Sequence, residues 1–290
     1  MEVSIDKISL IHTITNTEHY KTIITYMYVF KDEYQGKGKH YWKNKYCTKV
    51  NVKLDAQCNL HIVAGFTHGN LYAKFEFNVA KLSKEGWEQL YLVFLLLFED
   101  GYKAAYGNLR VDYIEIAVDF KNVEFSQVNA IDNKVKELND LYLDEGSFYY
   151  GAKKSKRVIF MYDKAQQLKK IKDITLGYSL LRVEARLRIP KIKLKNITEI
   201  NNPFLPFRIF DVSKDMPYAA GPLWAKYKKL VEVEGMHAQI AYLIFNPIER
   251  QALDLRFALR SSEWWEPKKA WELAIKEFAI LIPQSNIYTV

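Results

Sequence analysis

The sequence predicts an α+β fold with a mostly antiparallel, curved central sheet, packed helices and a C-terminal helical subdomain. Apolar residues occupy every second position in several short segments of the first 190 residues, as is typical of half-buried strands. From Leu223 onward they recur at helical spacing instead, and Pro247 and Pro267 stand where helices can begin. We therefore expect an α+β domain over residues 1–195 and a helical region over residues 196–290.

In the N-terminal part, the strand-like segments are 3–14, 22–30, 49–55, 59–65 and 71–78. The polar, glycine-bearing residues 31–46 predict a loop. Breaks at Ala56–Gln57 and at 68–70 predict hairpin turns. The stretch 82–101 then shows helical spacing, and Gly101 is the expected C-cap.

The next strand is predicted at 108–120, with Ile114, Ile116, Val118 and Phe120 on one face and Tyr113, Glu115, Ala117 and Asp119 on the other. Residues 125–141 predict an amphipathic helix. A strand followed by a helix thus occurs twice, which suggests two similar α+β halves sharing one sheet.

Positive charge is concentrated in one part of the chain. The whole protein carries +8, whereas residues 151–200 hold 14 Lys and Arg against 4 Asp and Glu. A local excess of this kind favours a polyanionic partner such as nucleic acid. Cys47 and Cys58 lack metal-type spacing and fit a reducing cytosol. The first residues do not resemble a signal peptide, and the apolar run 91–98 is too short to span a bilayer. We therefore expect a cytoplasmic protein without a membrane partner.

The stretch from Ser147 to Arg188 combines an unusual tyrosine with a regular strand. Tyr162 ends an apolar run in a basic setting that includes Arg157 and Lys164. Nearby cations would favour a phenolate and hold a phosphodiester; the alternative is a surface tyrosine that ends an edge strand. In the predicted strand 180–188, Arg182, Glu184, Arg186 and Arg188 alternate with apolar residues.

Three carboxylates could converge if these strands are neighbours. Glu115 and Asp119 share one strand face, and Glu184 lies on the polar face of the other strand. Three oxygen ligands suit Mg²⁺ or Mn²⁺, which keep water or phosphate in their open positions. The alternative is that the carboxylates simply face water.

Four segments, taken in order, resemble the Rep_trans family of rolling-circle replication initiators of Gram-positive plasmids, which has related proteins in phages and integrative elements. They are FEFNVAKLSKEGWEQL (75–90), YIEIAVDF (113–120), YYGAKKSKRVIFMYDKAQQ (149–167) and LRVEARL (181–187). The opening IDKISL (5–10) is also similar, and the resemblance covers roughly residues 1–190.

The resemblance implies that Tyr162 attacks DNA and that Glu115, Asp119 and Glu184 hold the metal ion. The family arginine two residues before the tyrosine is Phe160 here, so Arg157 or Lys164 would contact phosphate instead. The implied reaction is site-specific transesterification at a single-stranded or extruded origin segment with flanking duplex. It leaves a 5′-phosphotyrosine link and a 3′-OH primer, and it later rejoins the strand.

The resemblance also implies a host helicase partner and a homodimer, with origin specificity towards the C-terminus. Candidate DNA contacts are Lys153, Lys154, Lys156, Arg182, Arg186, Arg188 and, on the predicted helix 247–260, Arg250, Arg256 and Arg260. That helix could equally be a solvated helix packed on the sheet. Two other functions remain open: a relaxase that nicks a transfer origin, and a DNA-binding protein of the same fold without catalysis.

Overall fold

The computed structural model describes residues 1–33, 47–67, 69–98, 101–144, 146–211, 221–260 and 262–282. The strands are β1 (Glu2–Ile14), β2 (Cys47–Lys53), β3 (Asn59–Thr67), β4 (Asn70–Phe77), β5 (Arg110–Lys121), β6 (Val128–Asp132), β7 (Leu141–Asp144), β8 (Ser147–Tyr150), β9 (Arg157–Asp163), β10 (Leu180–Lys193) and β11 (Phe207–Asp211). The helices are α1 (Thr17–Glu33), α2 (Lys84–Leu97), α3 (Gly101–Tyr106), α4 (Lys164–Lys172), α5 (Pro222–Lys228), α6 (Ala238–Ile244), α7 (Pro247–Arg260) and α8 (Pro267–Phe278).

The predicted α+β class, with an antiparallel sheet, packed helices and a mostly helical C-terminal region, is confirmed. Among the described residues, nine strands form one sheet in the order β2-β3-β4-β1-β5-β10-β9-β8-β7, and β6 pairs with β11 in a second sheet. None of the described helices combines the length and apolar character needed to cross a membrane.

The chain forms two compact units that are discontinuous in sequence. The N-terminal unit comprises Ser4–Ile116, Leu187–Ile200 and Ala274–Val290, and the Tyr162 unit comprises Met1–Val3, Ala117–Arg186 and Asn201–Leu273. The long strands β5 and β10 each contribute residues to both units. The expected division of the chain at residue 195 stays a prediction.

In the N-terminal unit, helices cover an apolar sheet face. Leu10 of β1 lies opposite Phe75 of β4, and both are fully buried. Phe94 of α2 packs against Phe75 with ring centroids 4.8 Å apart. The helix begins where Ser83 accepts a hydrogen bond from the Gly86 amide, as an N-cap residue should.

The predicted strand at 22–30 is wrong, because these residues lie in α1. The buried positions are Ile23, Met27 and Phe30, and spacings of four and three residues describe one helix face. The β-branched and aromatic composition suggested a strand, but packing of this face decided the outcome. Residues 34–46 of the predicted loop lie outside the described part of the chain, as does His68 of the second predicted turn.

The predicted helix end at Gly101 is also wrong. Helix α2 ends at Leu97 with Phe98 as its C-cap, and Gly101 begins α3. The glycine has φ of +65°, a conformation that L-residues with a side chain adopt at a cost. It therefore separates two helices rather than closing one.

In the Tyr162 unit, the predicted helix over 125–141 is wrong as well. That segment contains β6, which pairs antiparallel with β11 from Phe207–Asp132 to Asp211–Val128. The Gln239 side chain accepts a 2.7 Å hydrogen bond from the Asp132 amide. The strand is held by β11 and by Gln239, which are distant in the sequence. Local periodicity does not show such partners, so the pattern alone suggested a helix.

The core of the Tyr162 unit joins β6 and β11 to the C-terminal helices. Its largest buried members are Phe210, Trp224, Tyr227, Tyr242, Phe245 and Phe257. Helix α5 continues into a π-helical segment, Lys229–Val233. The C-terminal region is thus mostly helical, as predicted, and its described residues include strand β11, which the sequence did not indicate.

Candidate functional site

Tyr162 and Glu184 form a buried hydrogen bond on neighbouring strands. The Tyr162 hydroxyl donates to Glu184 Oε1 over 2.6 Å, and each residue is 4% exposed. Strand β9 supplies the tyrosine and β10 the glutamate, and these strands lie side by side in the sheet. The predicted pairing of a tyrosine on one strand with a carboxylate on the next is therefore present.

Arg182 links this pair to Asp119. Its Nε and Nη2 donate to the two carboxylate oxygens of Asp119, both over 2.6 Å. Its Nη1 lies 3.6 Å from Glu184 Oε1, the oxygen that accepts from Tyr162. A bidentate arginine–carboxylate contact fixes both groups in direction as well as distance. We call Tyr162, Glu184, Arg182 and Asp119 the Tyr162 cluster.

The geometry of the Tyr162 cluster suits proton transfer from a phenol. A tyrosine hydroxyl has an ordinary pKa near 10 and needs a base to become a nucleophile at neutral pH. Glu184 Oε1 already accepts a hydrogen bond from this hydroxyl, at a distance from which a general base can take up a proton. The guanidinium of Arg182 places positive charge beside the carboxylate. A phenol, a carboxylate and a guanidinium therefore lie side by side.

Glu115, the third predicted metal ligand, lies in the N-terminal unit, where its carboxylate accepts from the Tyr113 hydroxyl. Among the described residues there is no group of three or more His, Cys, Asp or Glu that could hold a metal ion. Asp119 and Glu184 supply the hard oxygens that Mg²⁺ and Mn²⁺ prefer. In the observed arrangement both carboxylates face Arg182, so a metal ion at these oxygens would compete with the guanidinium.

Lys164 and Arg157, the two basic residues predicted to act with Tyr162, have different places. Lys164 Nζ lies 5.7 Å from the centroid of the Tyr162 ring and donates to Gln167 Oε1. Arg157 donates to the Pro203 carbonyl and to the buried Asp132 carboxylate, at 2.7 Å and 2.6 Å. It alternates with Tyr162 along β9 and so points to the other face. The structure therefore brings Lys164, but not Arg157, to the Tyr162 ring.

The basic loop between β8 and β9 carries three exposed lysines: Lys153, Lys154 and Lys156. Gly151 shapes its start, with φ of +116°. A Cβ atom there would lie 2.8 Å from the Arg157 carbonyl oxygen, closer than real Cβ contacts allow. The backbone thus requires glycine at this position, and the lysines follow it next to the sheet.

The remaining predicted DNA contacts lie on β10 and on α7. Arg186 lies 4.0 Å over the Phe160 ring in the Tyr162 unit, whereas Arg188 lies 5.9 Å over the Tyr113 ring in the N-terminal unit. Arg250 on α7 donates to the Lys136 carbonyl at 3.4 Å. Arg256 and Arg260 also belong to α7, but their side chains lie outside the described part of the structure.

Three aromatic residues beside the Tyr162 cluster were not predicted as site residues. Tyr142, Tyr149 and Phe160 stack across β7, β8 and β9, with interplanar angles of 9° and 6°. Phe160 in turn stacks on Tyr162, with centroids 5.5 Å apart. The alternation in LYLD (141–144) and the aromatic run FYY (148–150) were the available signals, but Leu141 fell within the predicted helix.

The N-terminal unit has its own cleft of about 790 Å³, lined in part by His12, His19, Arg110 and Lys193. The rings of His12 and His19 lie 5.8 Å apart. Burial, with a smaller contribution from His19, lowers the pKa of His12 to about 4. His19 Nε2 lies 2.8 Å from the Leu97 carbonyl. His12 lies on β1 and His19 on α1, so residue spacing alone did not indicate that their rings would approach.

The chain matches no protein-family model and no curated protein. The resemblance to Rep_trans initiators therefore rests on the sequence motifs alone.

Proposed function

We propose that this protein is a cytoplasmic replication initiator that nicks one strand of an origin by tyrosine transesterification. The observation that carries the proposal is the 2.6 Å hydrogen bond from the Tyr162 hydroxyl to Glu184, with Arg182 beside the same carboxylate oxygen. The ordered motifs and the basic segment 151–200 support DNA as the substrate. A host helicase and a second copy of the chain are the proposed partners.

In the proposed reaction, Glu184 accepts the proton of the Tyr162 hydroxyl. The phenolate oxygen forms a bond to phosphorus, and the bond from phosphorus to the 3′ oxygen breaks. The 3′ oxygen takes a proton from solvent, which leaves a 3′-OH and a 5′-phosphotyrosine. Rejoining reverses these steps, and because one phosphodiester replaces another, no external energy source is required.

The burial of Tyr162 sets a condition on this reaction. The residue is 4% exposed, so a phosphodiester reaches its hydroxyl only after covering side chains move. Lys164 is suited to such a movement. Its side chain is long and flexible, its ammonium lies near the ring, and it donates a hydrogen bond to the neutral side chain of Gln167. A phosphate arriving there offers the ammonium a stronger partner than a neutral amide.

A divalent cation, Mg²⁺ or Mn²⁺, is the proposed cofactor, and Asp119 and Glu184 are the residues that would hold it. It would neutralise the nonbridging phosphate oxygens during attack. Because both carboxylates now face Arg182, their availability depends on release of that guanidinium. Chelation with EDTA tests this part of the proposal: nicking that continues unchanged would leave Arg182 as the cation of the site.

The test of the nickase proposal uses a supercoiled plasmid that carries the DNA flanking the gene for this protein. Wild type with Mg²⁺ or Mn²⁺ should produce an open circle, and Tyr162→Phe should not. Tyr178→Phe is the matched control, because Tyr178 lies in the same unit and is 40% exposed. Equal nicking by wild type and Tyr162→Phe would refute the assignment of the nucleophile.

A relaxase acting at a transfer origin would use the same chemistry on a different DNA site. The gene neighbourhood separates the two: coupling-protein and secretion genes would favour transfer. For a relaxase, the supercoiled plasmid that is nicked would be the one that carries the transfer origin.

A second function is a non-catalytic DNA-binding protein of the same fold. The burial of Tyr162 and the closed pairing of Asp119 with Arg182 favour it. It predicts tight, metal-independent DNA binding without any covalent adduct. With Mg²⁺ or Mn²⁺ present, the nickase proposal instead predicts a covalent adduct between the protein and the DNA.

A further inference from the structure

The sheet face that carries Tyr162 also carries a row of parallel aromatic rings. Tyr142 stacks on Tyr149 with centroids 4.3 Å apart, and Tyr149 stacks on Phe160 with centroids 5.1 Å apart. These residues are register partners across β7, β8 and β9. We call Tyr142, Tyr149 and Phe160 the aromatic row.

Cations lie at both ends of the aromatic row. Arg186 is 4.0 Å from the Phe160 ring centroid, and Lys153 Nζ is 5.1 Å from the Tyr142 ring centroid. Because Tyr149 covers one face of the Tyr142 ring, the lysine lies over the other. Lys154 and Lys156 follow on the same exposed loop. The row therefore combines aromatic rings with the charges that attract phosphates.

The aromatic row ends next to Tyr162, the proposed nucleophile. Phe160 and Tyr162 alternate with Ile159 and Met161 along β9, so the two rings share a face, and they stack directly. On the opposite face Phe148 packs against His237 with centroids 4.3 Å apart, and Tyr150 packs against Phe207. Residues of β11 and of the N-cap of α6 thus pack on the face opposite the aromatic row.

We propose that the aromatic row binds the unpaired bases of single-stranded DNA and directs that strand towards Tyr162. The inference rests on the proposed function for the identity of the ligand. A base continues the stack on the outer face of Tyr142, in the place of the Lys153 ammonium. Lys153 is exposed and moves to a phosphate, since stacking of a base on the ring is stronger than an exposed cation–π contact.

A purely structural role is the competing explanation, because cross-strand aromatic pairs also stabilise sheets. The two roles differ in what they require of the ligand. Stacking depends on the presence of bases, whereas attraction to the lysines depends only on phosphates. An oligonucleotide with abasic positions keeps the phosphates and removes the bases, so it separates these contributions.

The experiment measures fluorescence anisotropy of a labelled oligothymidylate and of an abasic oligonucleotide of equal length, with Tyr162→Phe protein to prevent cleavage. The aromatic row predicts tighter binding of the oligothymidylate. Tyr142→Leu should weaken that binding about tenfold and leave abasic binding unchanged. Tyr142→Phe keeps the ring and should bind as the parent does. Equal binding of both oligonucleotides by the parent, or of oligothymidylate by Tyr142→Leu, would overturn the inference.

A second measurement does not depend on the folding of a variant. Photocrosslinking of a 5-iododeoxyuridine oligonucleotide to the unsubstituted chain should give peptides that contain Tyr142 or Tyr149. Crosslinks confined to other regions would overturn the inference. Base-dependent binding through the aromatic row without nicking would uphold this inference and refute the nickase proposal. Nicking without base-dependent binding would uphold the nickase proposal and refute this inference.

Discussion

Arg182 holds the carboxylate of Asp119 through two hydrogen bonds of 2.6 Å, and its third nitrogen faces Glu184. The side chains of Arg182 and Asp119 are 11% and 17% exposed. Water therefore screens this pair much less than it screens a surface ion pair. This ion pair links β5 to β10 and places the Arg182 guanidinium beside Glu184, the hydrogen-bond acceptor of Tyr162.

A double-mutant cycle on this pair should show strong coupling. Arg182→Lys and Asp119→Asn each remove the bidentate contact, and each should lower the free energy of unfolding by about 1–3 kcal/mol. The double variant should lose less than the sum, with a coupling of at least about 1 kcal/mol. Urea unfolding of the four proteins measures it.

The Lys228–Glu232 ion pair of the same unit is the control. Its atoms lie 3.4 Å apart with i,i+4 spacing, and such helix pairs contribute about 0.3–0.5 kcal/mol. Lys228→Met should therefore change the unfolding free energy little. Additive effects of the Arg182 and Asp119 substitutions would contradict the coupling.

Glu184→Gln should separate proton acceptance from packing. Glutamine keeps an oxygen that accepts from the Tyr162 hydroxyl, but it does not take up the proton. Loss of a general base costs about 10²–10⁴-fold in rate. We expect single-turnover formation of the DNA adduct to slow by that factor while the thermal unfolding temperature changes by a few degrees at most. Glu199→Gln, an exposed position, is the control, and an unchanged adduct rate in Glu184→Gln would exclude Glu184 as the base.

The salt dependence of DNA binding should report on the lysine loop. Each phosphate neutralised on a single strand contributes about −0.7 to the slope of log K against log salt concentration. Replacing Lys153, Lys154 and Lys156 by Ala should therefore make the slope about 2 units shallower. The matched control replaces three exposed lysines of the N-terminal unit: Lys53, Lys81 and Lys84. Equal slopes for the two triple variants would show that the loop does not contact phosphates.

His237 should make the protein sensitive to acid. Burial lowers the pKa of His237 to about 4, and its Nδ1 accepts a 3.2 Å hydrogen bond from the Gln239 amide at the start of α6. Because the unfolded chain binds the proton more readily, stability is full above pH 6.5 and is lost as pH falls towards 4. The loss is at most about 3 kcal/mol.

His237→Asn should make this acid limb shallower, since asparagine caps a helix without titrating between pH 4 and 6.5. The half-buried His12, whose pKa is also lowered to about 4, still contributes to the loss. Unfolding free energies at pH 7 and pH 4.5 measure the effect. An equal loss of stability in the two proteins would assign the acid sensitivity to other groups.

Strands β5 and β10, which carry three of the four residues of the Tyr162 cluster, were predictable because a period of two residues is visible in their sequence. In β5 the buried Ile114 and Ile116 alternate with the half-buried Glu115, and in β10 Arg182 alternates with the buried Leu181 and Val183. The sequence showed that Arg182 was charged. It could not show that its partner is Asp119, because 63 residues separate them.

The predictions for β6 and α1 were wrong because contacts with distant parts of the chain determine these two elements. Strand β6 forms against β11, and neither segment signals the other through composition or spacing. Helix α1 contains a strand-like run of β-branched and aromatic residues, yet it buries Ile23 and Met27 at helical spacing. Local preference is a weak guide where packing of a whole face supplies more free energy.

Mass spectrometry of the covalent adduct identifies the residue that attacks DNA. Wild-type protein is incubated with Mn²⁺ and an oligonucleotide spanning the mapped nick, which carries a 3′ bridging phosphorothiolate so that the released end does not rejoin. We expect a 5′-phosphorylated tyrosine in the peptide that contains Tyr162, and no adduct in Tyr162→Phe. An adduct on another residue, or cleavage of the strand without any adduct, would contradict this expectation.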